Sequence, residues 1–129
     1  MNTSFLNDIN KLCKLIVKNS RASITYRKGQ VVFYEDTRPM GVYFILNGKV
    51  KTSSVNAFGR ENILGISNAY SMLGYNELFQ NEMYNSTATV IEEAEIYYIS
   101  KEKFMEIVEK DVDLINRVMN LMKHDPIAV

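Results

Sequence analysis

The chain of 129 residues has little of the chemistry on which most enzymes and metal sites depend. It has one histidine, His124, one cysteine, Cys13, and no tryptophan. A catalytic metal in a β-barrel needs two or three histidines plus a carboxylate, so the composition argues against a metal-dependent oxygenase or isomerase. Ser-His-Asp and Cys-His arrangements fail for the same reason, and neither a P-loop nor a Gly-x-Gly-x-x-Gly motif is present. We therefore expect no catalytic residue and no metal ligand, and a binding or regulatory module rather than an enzyme.

An excess of charge of one sign is also missing. Lys+Arg and Asp+Glu both number 15, which argues against non-specific binding to nucleic acid or to an anionic membrane. No apolar run approaches the roughly 20 residues of a membrane span. Asp8, Lys11 and Lys14 interrupt the region that would be the apolar core of a signal peptide. A cytoplasmic location without membrane contact is expected, and Cys13, which cannot form an internal disulfide, is expected to be an ordinary helix residue.

What the sequence does contain is a long central stretch of short β-strands between helical ends. Apolar residues recur at helical spacing over residues 4–18. Between residues 24 and 99, roughly eight short strands are separated by turn residues, which is typical of an all-β barrel, sandwich or jelly roll. Residues 101–124 are helical in pattern again. We expect a mainly β fold with flanking α-helices, a double-stranded β-helix (jelly roll), in one domain over residues 1–129.

The strand pattern also predicts how the middle of the chain is connected. Asn47-Gly48 is the dipeptide of a tight turn that accepts positive φ at both positions, so Val42–Leu46 and Lys49–Val55 are predicted to form a hairpin. A second turn is predicted around Gly59.

The last β region is predicted to contain two strands, Ser86–Ile91 and Glu95–Ile99, with Glu92 and Glu93 in a solvated turn between them. Ser100 then has the pattern of an N-cap that starts a helix.

The final helix carries a broad apolar stripe that leaves two interpretations open. Such a stripe packs on its own domain in most proteins, but near a chain end it also pairs with a second copy and makes a homodimer. The stripe consists of two rows, Leu114, Val118, Leu121 and Ile115, Met119, Met122. Pro126 ends the helix.

The segment "SMLGYNELFQNEMYNSTATVIEE", residues 71–93, has the outline of a small anion-binding pocket. A glycine, Gly74, opens a predicted helical turn at Tyr75–Phe79, and a polar Asn-Ser-Thr cluster leads into a strand. Yet no lysine or arginine lies between Arg60 and Lys101, while that interval contains six glutamates. The segment therefore predicts the backbone of a phosphate site without its positive charge.

The ordered motifs resemble the cyclic-nucleotide-binding domain of the CRP/FNR family of bacterial regulators. The resemblance runs from about Ile24 to Met122 and depends on ordered spacing rather than on one short motif. It is carried by Lys28-Gly29 before a strand, "YFILNG" at 43–48, Gly59-Arg60, and "LGYNELF" at 73–79. The family fold implied is a β-roll flanked by helices, with residues 74–88 as the phosphate-binding cassette.

Position by position, the resemblance places the cassette glycine at Gly74, the glutamate that binds the ribose at Tyr75, and the phosphate-binding arginine at Ser86. Three outcomes stay open: tight binding of cAMP, against which the missing positive charge argues, binding of a less anionic ligand, or a pocket filled by its own side chains, including Tyr75 and Tyr84. The expected cofactor is accordingly a cyclic nucleotide, another small ligand or none. The candidate ligand-binding residues are Gly74, Tyr75, Asn76, Glu77, Ser86, Thr87 and Ala88.

The resemblance implies a regulatory sensor in which pocket occupancy repositions the C-terminal helix, which is the dimer seam of the family. Residues 101–129 are too few for both that helix pair and a DNA-reading helix-turn-helix, so direct DNA binding by this chain is not expected. The chain is then either the sensor half of a longer regulator or a free-standing sensor. A ligand-free dimerisation or docking module is the alternative.

Overall fold

The fold is a β structure with helices at both ends, seen in a computed structural model that describes residues 3–19, 23–113 and 116–117. The mainly β architecture with flanking helices is confirmed, although the described residues contain six strands rather than eight. The elements are α1 (Thr3–Asn19), β1 (Ser23–Tyr26), β2 (Val31–Phe33), β3 (Gly41–Val55), β4 (Glu61–Ser67), β5 (Met72–Leu73), α2 (Tyr75–Gln80), β6 (Thr87–Ser100) and α3 (Lys101–Lys110).

Two long strands form the centre of the sheet. β3 and β6 pair antiparallel from Gly41↔Ser100 to Ser53↔Thr87. β1 and β2 extend β6, and β4 and β5 extend β3, all antiparallel. The strand order β1-β6-β3-β4 brings residues from both halves of the chain next to α2, where the candidate site lies.

The hairpin predicted at Asn47-Gly48 is wrong, because β3 runs through these residues without reversing. β6 pairs with β3 on both sides of the dipeptide, with Ile45↔Ile96 before it and Val50↔Val90 after it. Gly48 has φ 98°, and a Cβ there would overlap the Glu93 carbonyl oxygen and Ala94. The left-handed glycine therefore lies at an irregularity in the pairing of β3 with β6, and the chain does not reverse there.

The chain reverses instead at the turn predicted around Gly59, which joins β3 to β4. The amide of Gly59 donates to the Asn56 carbonyl at 3.0 Å, and the Asn56 side chain accepts from the amides of Phe58 and Arg60. An asparagine side chain that satisfies backbone amides in this way stabilises a tight turn.

The two strands predicted at Ser86–Ile91 and Glu95–Ile99 are one continuous strand, because β3 pairs with β6 along its length. Glu92 and Glu93 are both solvent-exposed, as expected, but they lie within β6, where its pairing with β3 is irregular, rather than in a turn. The Glu92 carboxylate lies 3.4 Å from the ammonium group of Lys49 on the paired strand.

Two apolar clusters fill the interior. The helical cluster joins Leu12 and Ile16 of α1, Leu78 of α2, and Phe104 and Ile107 of α3, with strand residues beneath them. The barrel cluster lies inside the β structure and includes ten buried residues: Val32, Phe33, Ile45, Val50, Leu73, Tyr84, Ala88, Val90, Ala94 and Ile96. The short helix α2 lies between the two clusters and so contacts both the barrel and the flanking helices.

Two polar contacts stabilise the helical segments that flank the β structure. The Ser100 hydroxyl accepts from the amide of Lys103 at 3.3 Å, which confirms the predicted N-cap of α3. The Arg117 guanidinium donates to both carboxylate oxygens of Asp8 at 2.9 and 3.2 Å.

Some predictions concern residues that the structure does not describe. The six residues of the two apolar rows, His124 and Pro126 all lie outside the described residues, so the choice between core packing and a dimer seam stays a prediction. In the part of the chain that is described, no helix is long and apolar enough to cross a membrane.

Candidate functional site

A pocket of about 300 Å³ opens where α2 begins, at the end of the short strand β5. Its walls come from both sides of the fold, since β3, β4 and the segment before β6 all contribute. Its volume is at the lower end of the range typical of small-molecule sites. The lining residues are Phe33, Thr52, Leu64, Ser67, Met72, Leu73, Gly74, Tyr75, Asn76, Glu77, Asn85 and Ser86.

The structure brings most of the predicted site residues together at this pocket. The lining includes Gly74, Tyr75, Asn76, Glu77 and Ser86.

The other two predicted residues do not line it. The Thr87 hydroxyl accepts a hydrogen bond from the amide of Glu35 at 2.9 Å, and Ala88 is completely buried in the barrel cluster. Both residues lie in β6, where pairing with β3 fixes their positions.

Gly74 adopts a backbone conformation that other residues rarely reach. It is the N-cap of α2 with φ 86° and ψ 1°, in the left-handed region. A Cβ added there would lie 3.0 Å from Cε1 of Tyr84. Both the dihedral and the close approach therefore favour glycine at the mouth of the pocket.

Tyr84 fills the barrel directly behind Gly74. Its ring stacks on Phe33 with centroids 3.8 Å apart and planes 12° apart, and the side chain is only 4% exposed. Burial raises the pKa of the Tyr84 phenol far above its usual range, so the side chain is neutral. Tyr84 accordingly occupies barrel space, which was one of the open outcomes, whereas Tyr75 lines the open pocket and also packs against the helical cluster.

The pocket lacks positive charge. Among the described residues that line it none is a lysine or arginine, and Glu77 is the one charged side chain. Lys51, which precedes the lining residue Thr52 on β3, does not supply positive charge to the pocket, because it is paired with Glu61 at 3.1 Å.

The negative charge of Glu77 affects the pKa of two tyrosines at and behind the pocket. Burial raises the pKa of Tyr75, the hydrogen bond with Asn76 opposes this rise, and the negative charge of Glu77 adds to it. Glu77 also contributes to the raised pKa of Tyr84, after burial and Tyr43. The electrostatic environment of the site is therefore neutral to negative.

Ser86 is a polar side chain buried at the pocket wall. It is only 5% exposed, and within the described ranges its hydroxyl has no hydrogen-bond partner. A buried hydroxyl without a partner costs roughly 1–3 kcal/mol, so such groups are rare unless a ligand or water satisfies them. The Ser86 hydroxyl is available to a molecule in the pocket.

Sequence reasoning missed the lining residues contributed by the other strands, including Phe33, Thr52 and Leu64. Alternation within β3 puts Thr52 on the same face as the buried Val50, which is a local signal that could have been used. For Phe33 and Leu64, the local sequence does not show which strands meet at the start of α2.

The helix that borders the pocket also contacts the C-terminal helix. The rings of Phe79 in α2 and Phe104 in α3 have centroids 5.7 Å apart. Leu78, on the adjacent position, is buried in the helical cluster together with Phe104 and Ile107. The helix at the pocket and the first C-terminal helix are therefore in direct contact.

In the described residues, no group of three His, Cys, Asp or Glu side chains could hold a metal ion. The chemistry that the site offers is hydrogen bonding from Ser, Thr, Asn and Glu side chains beside apolar walls.

Solved structures show the same fold in bacterial regulators. A transcriptional regulator from Thermotoga maritima superposes with a TM-score of 0.77 at 23% identity, covering 87% of this chain and 86% of the other. The catabolite activator protein of Thermus thermophilus gives a TM-score of 0.74 at 17% identity, covering 87% of this chain and 52% of the activator. The c-di-GMP responsive global regulator CLP of Xanthomonas campestris gives 0.76 at 16% identity, covering 88% of this chain and 56% of CLP.

The chain thus spans about half the length of the last two proteins, and at these identities the likeness shows the fold alone. No curated protein sequence matches the chain. The family model described as the cyclic nucleotide-binding domain matches residues 23–111, which is more than half of the chain and includes the whole pocket. The predicted jelly-roll fold is confirmed, and the chain belongs to the cyclic nucleotide-binding domain family.

Proposed function

We propose that this protein is a non-enzymatic regulatory sensor that binds a small effector in the pocket at the start of α2 and binds cAMP weakly or not at all. The observation that carries the proposal is the pocket itself, which combines a left-handed glycine, a buried free hydroxyl and a helix that contacts α3. Proteins with this fold include the Thermus catabolite activator and the c-di-GMP responsive regulator CLP, and their names support a regulatory role.

Weak binding of cAMP follows from the charge of the lining residues. A phosphate in this pocket would lack a charge-assisted hydrogen bond, which is worth about 1.5–3 kcal/mol. That loss corresponds to roughly a tenfold to hundredfold lower affinity. The same phosphate would also lie in the field of Glu77.

The signal is proposed to pass from the pocket to the C-terminal helices through α2. Tyr75 lines the pocket and also packs against the helical cluster. Leu78 and Phe79 then contact α3, and α3 leads to the segment held by the Asp8–Arg117 ion pair. A ligand that binds one position of α2 better than another would thereby shift the position of α3.

Four further parts of the proposal concern the protein as a whole. Residues 1–129 are proposed to form one domain, and to act as the sensor of a regulator. Homodimerisation is proposed to occur through the apolar rows of the C-terminal helix, whose residues lie outside the described ranges. The location is proposed to be cytoplasmic.

The test is thermal unfolding of the whole chain with cAMP, cGMP, c-di-GMP, adenosine and guanosine, followed by hydrogen exchange with any probe that binds. A sensor gains about 2.7 kcal/mol of stability at a ligand concentration 100 times Kd. We expect one or more probes to raise Tm and to slow amide exchange in both α2 and α3. A variant that fills the pocket, Ser67→Tyr, should abolish the effect, whereas Ser54→Tyr, on β3 outside the lining, should retain it.

Unchanged Tm with every probe would favour the alternative, a ligand-free dimerisation or docking module. Protection confined to α2, with α3 unaffected, would show binding without the proposed coupling.

A further inference from the structure

The charges and hydrogen-bonding groups of the pocket indicate which class of ligand it takes. We propose that the pocket selects an uncharged nucleoside-like molecule, a planar heterocycle with hydroxyl or N–H donors, over the corresponding nucleotide phosphate. This inference rests on the proposed function, because it concerns the ligand of the same pocket.

The first step concerns electrostatics at the lining. Glu77 is the charged group of the described lining, and its carboxylate has no ion-pair partner within the described ranges. A carboxylate that is partly buried without a cation disfavours an anion beside it and favours a hydrogen-bond donor. Hydroxyl and N–H groups of a neutral ligand satisfy this carboxylate, whereas a phosphate is repelled by it.

Two cations of neighbouring elements, Lys51 and Arg38, are already engaged elsewhere. Lys51 is held by Glu61 at 3.1 Å on β4. Arg38 donates to the side chain of Asn81 at 3.2 Å. Arg38 lines, with Lys101, a separate recess of about 200 Å³ that Glu77 also borders. Recruiting either cation to a phosphate would break an existing contact.

The second step concerns the buried hydroxyl. Ser86 is only 5% exposed, lines the pocket, and has no partner in the described residues. A serine hydroxyl both donates and accepts, so it recognises a sugar hydroxyl or a ring nitrogen without requiring charge. Thr52 and Ser67 add two more neutral hydroxyls to the same lining.

The third step concerns the apolar part of the wall. Phe33, Leu64 and Leu73 line the pocket together with the ring of Tyr75. Apolar and aromatic walls with a few polar groups fit a planar ring that carries polar substituents on one edge. A nucleoside combines a planar ring with polar substituents in this way. A cyclic nucleotide differs from it by a phosphate, an anion for which the described lining offers no cation.

The experiment compares two matched pairs of probes, adenosine with cAMP and guanosine with cGMP, by isothermal titration calorimetry on the whole chain. We expect at least one nucleoside to bind tenfold or more tightly than its cyclic nucleotide. Glu77→Gln should narrow that ratio by strengthening nucleotide binding, because it removes the negative charge. Ser86→Ala should weaken nucleoside binding several-fold, whereas the control Ser54→Ala, on β3 outside the pocket, should leave both affinities unchanged.

A cyclic nucleotide that binds as tightly as its nucleoside would overturn the inference, and so would a ratio unaffected by Glu77→Gln. Absence of binding by both nucleosides would overturn it as well. These results leave the sensor role itself undecided, because that role fails only if no probe of the wider panel stabilises the chain or if α3 does not respond. Tight binding of cAMP would contradict only the weak cAMP binding proposed above.

Discussion

Replacing Gly74 with alanine tests the geometry at the mouth of the pocket. Gly74 has φ 86°, and a Cβ there would lie 3.0 Å from Cε1 and 3.4 Å from the hydroxyl oxygen of Tyr84. Tyr84 cannot move away easily, because its ring is stacked on Phe33 at 3.8 Å and is only 4% exposed. Gly74→Ala should therefore destabilise the protein through both the dihedral and the contact.

The loss of unfolding free energy expected for Gly74→Ala is the sum of three contributions. A left-handed conformation costs a non-glycine residue about 1–2 kcal/mol. Overpacking against a held ring adds about 1–3 kcal/mol. The stiffer unfolded chain of the alanine variant offsets about 0.4–1 kcal/mol. We expect a net loss of about 3 kcal/mol of unfolding free energy, which lowers Tm by roughly 9–15 °C in a domain of this size.

Two other glycines provide matched controls for the dihedral alone. Gly29 has φ 92° and Gly59 has φ 79°, and a Cβ at either position would meet nothing within 4 Å. Urea unfolding of Gly29→Ala and Gly59→Ala should give losses of about 1 kcal/mol or less. Adding Tyr84→Leu to Gly74→Ala should recover part of the lost unfolding free energy. The double-mutant cycle then measures the coupling energy between positions 74 and 84.

The reasoning is refuted if Gly74→Ala costs no more than Gly59→Ala, within about 0.3 kcal/mol, or if the cycle with Tyr84→Leu shows no coupling. Either result would mean that Tyr84 does not press against the start of α2.

Two further predictions concern the helices. Ser100→Ala removes the acceptor for the Lys103 amide at 3.3 Å and should cost about 1 kcal/mol, measured by urea unfolding with Ser100→Asn as a control that retains the cap. The hydrogen bonds from Arg117 lower the pKa of Asp8, so their contribution is fully present above the ordinary aspartate pKa of about 3.9 and is lost as pH falls through the lowered value. Stability between pH 6 and pH 2, measured by thermal unfolding, should therefore fall more steeply in the parent than in Asp8→Asn; equal slopes would contradict the ion pair.

Local signals in the sequence predicted the features that depend on few neighbouring residues. The cap at Ser100, the helix over residues 4–18 and the helical turn after Gly74 are of this kind. Each is determined by residues within one or two turns of the chain, so pattern and propensity were sufficient.

The connection at Asn47-Gly48 could not be predicted in this way. A left-handed glycine serves equally in a tight hairpin and in an irregular strand. The outcome depends on β6, which lies more than 40 residues away and pairs on both sides of the dipeptide. Long-range pairing, which leaves no local signature, overrode the turn signal.

The candidate site was predicted in outline because the segment 74–86 carries most of it. The sequence shows that this segment has no lysine or arginine, and the structure adds that β3 and β4 supply no cation to the described lining. The burial of Ser86 was not predictable, because it depends on how the barrel closes around α2.

The most direct test of the account is an amide chemical-shift titration by NMR with whichever nucleoside or nucleotide binds. If the pocket senses a ligand and α2 carries the signal, amides of residues 74–77 and 85–87 should shift together with those of α3, with one shared Kd. Shifts confined to residues outside the pocket, such as 23–31, would contradict the proposed binding site. Shifts at the pocket without any change in α3 would contradict the proposed role of α2.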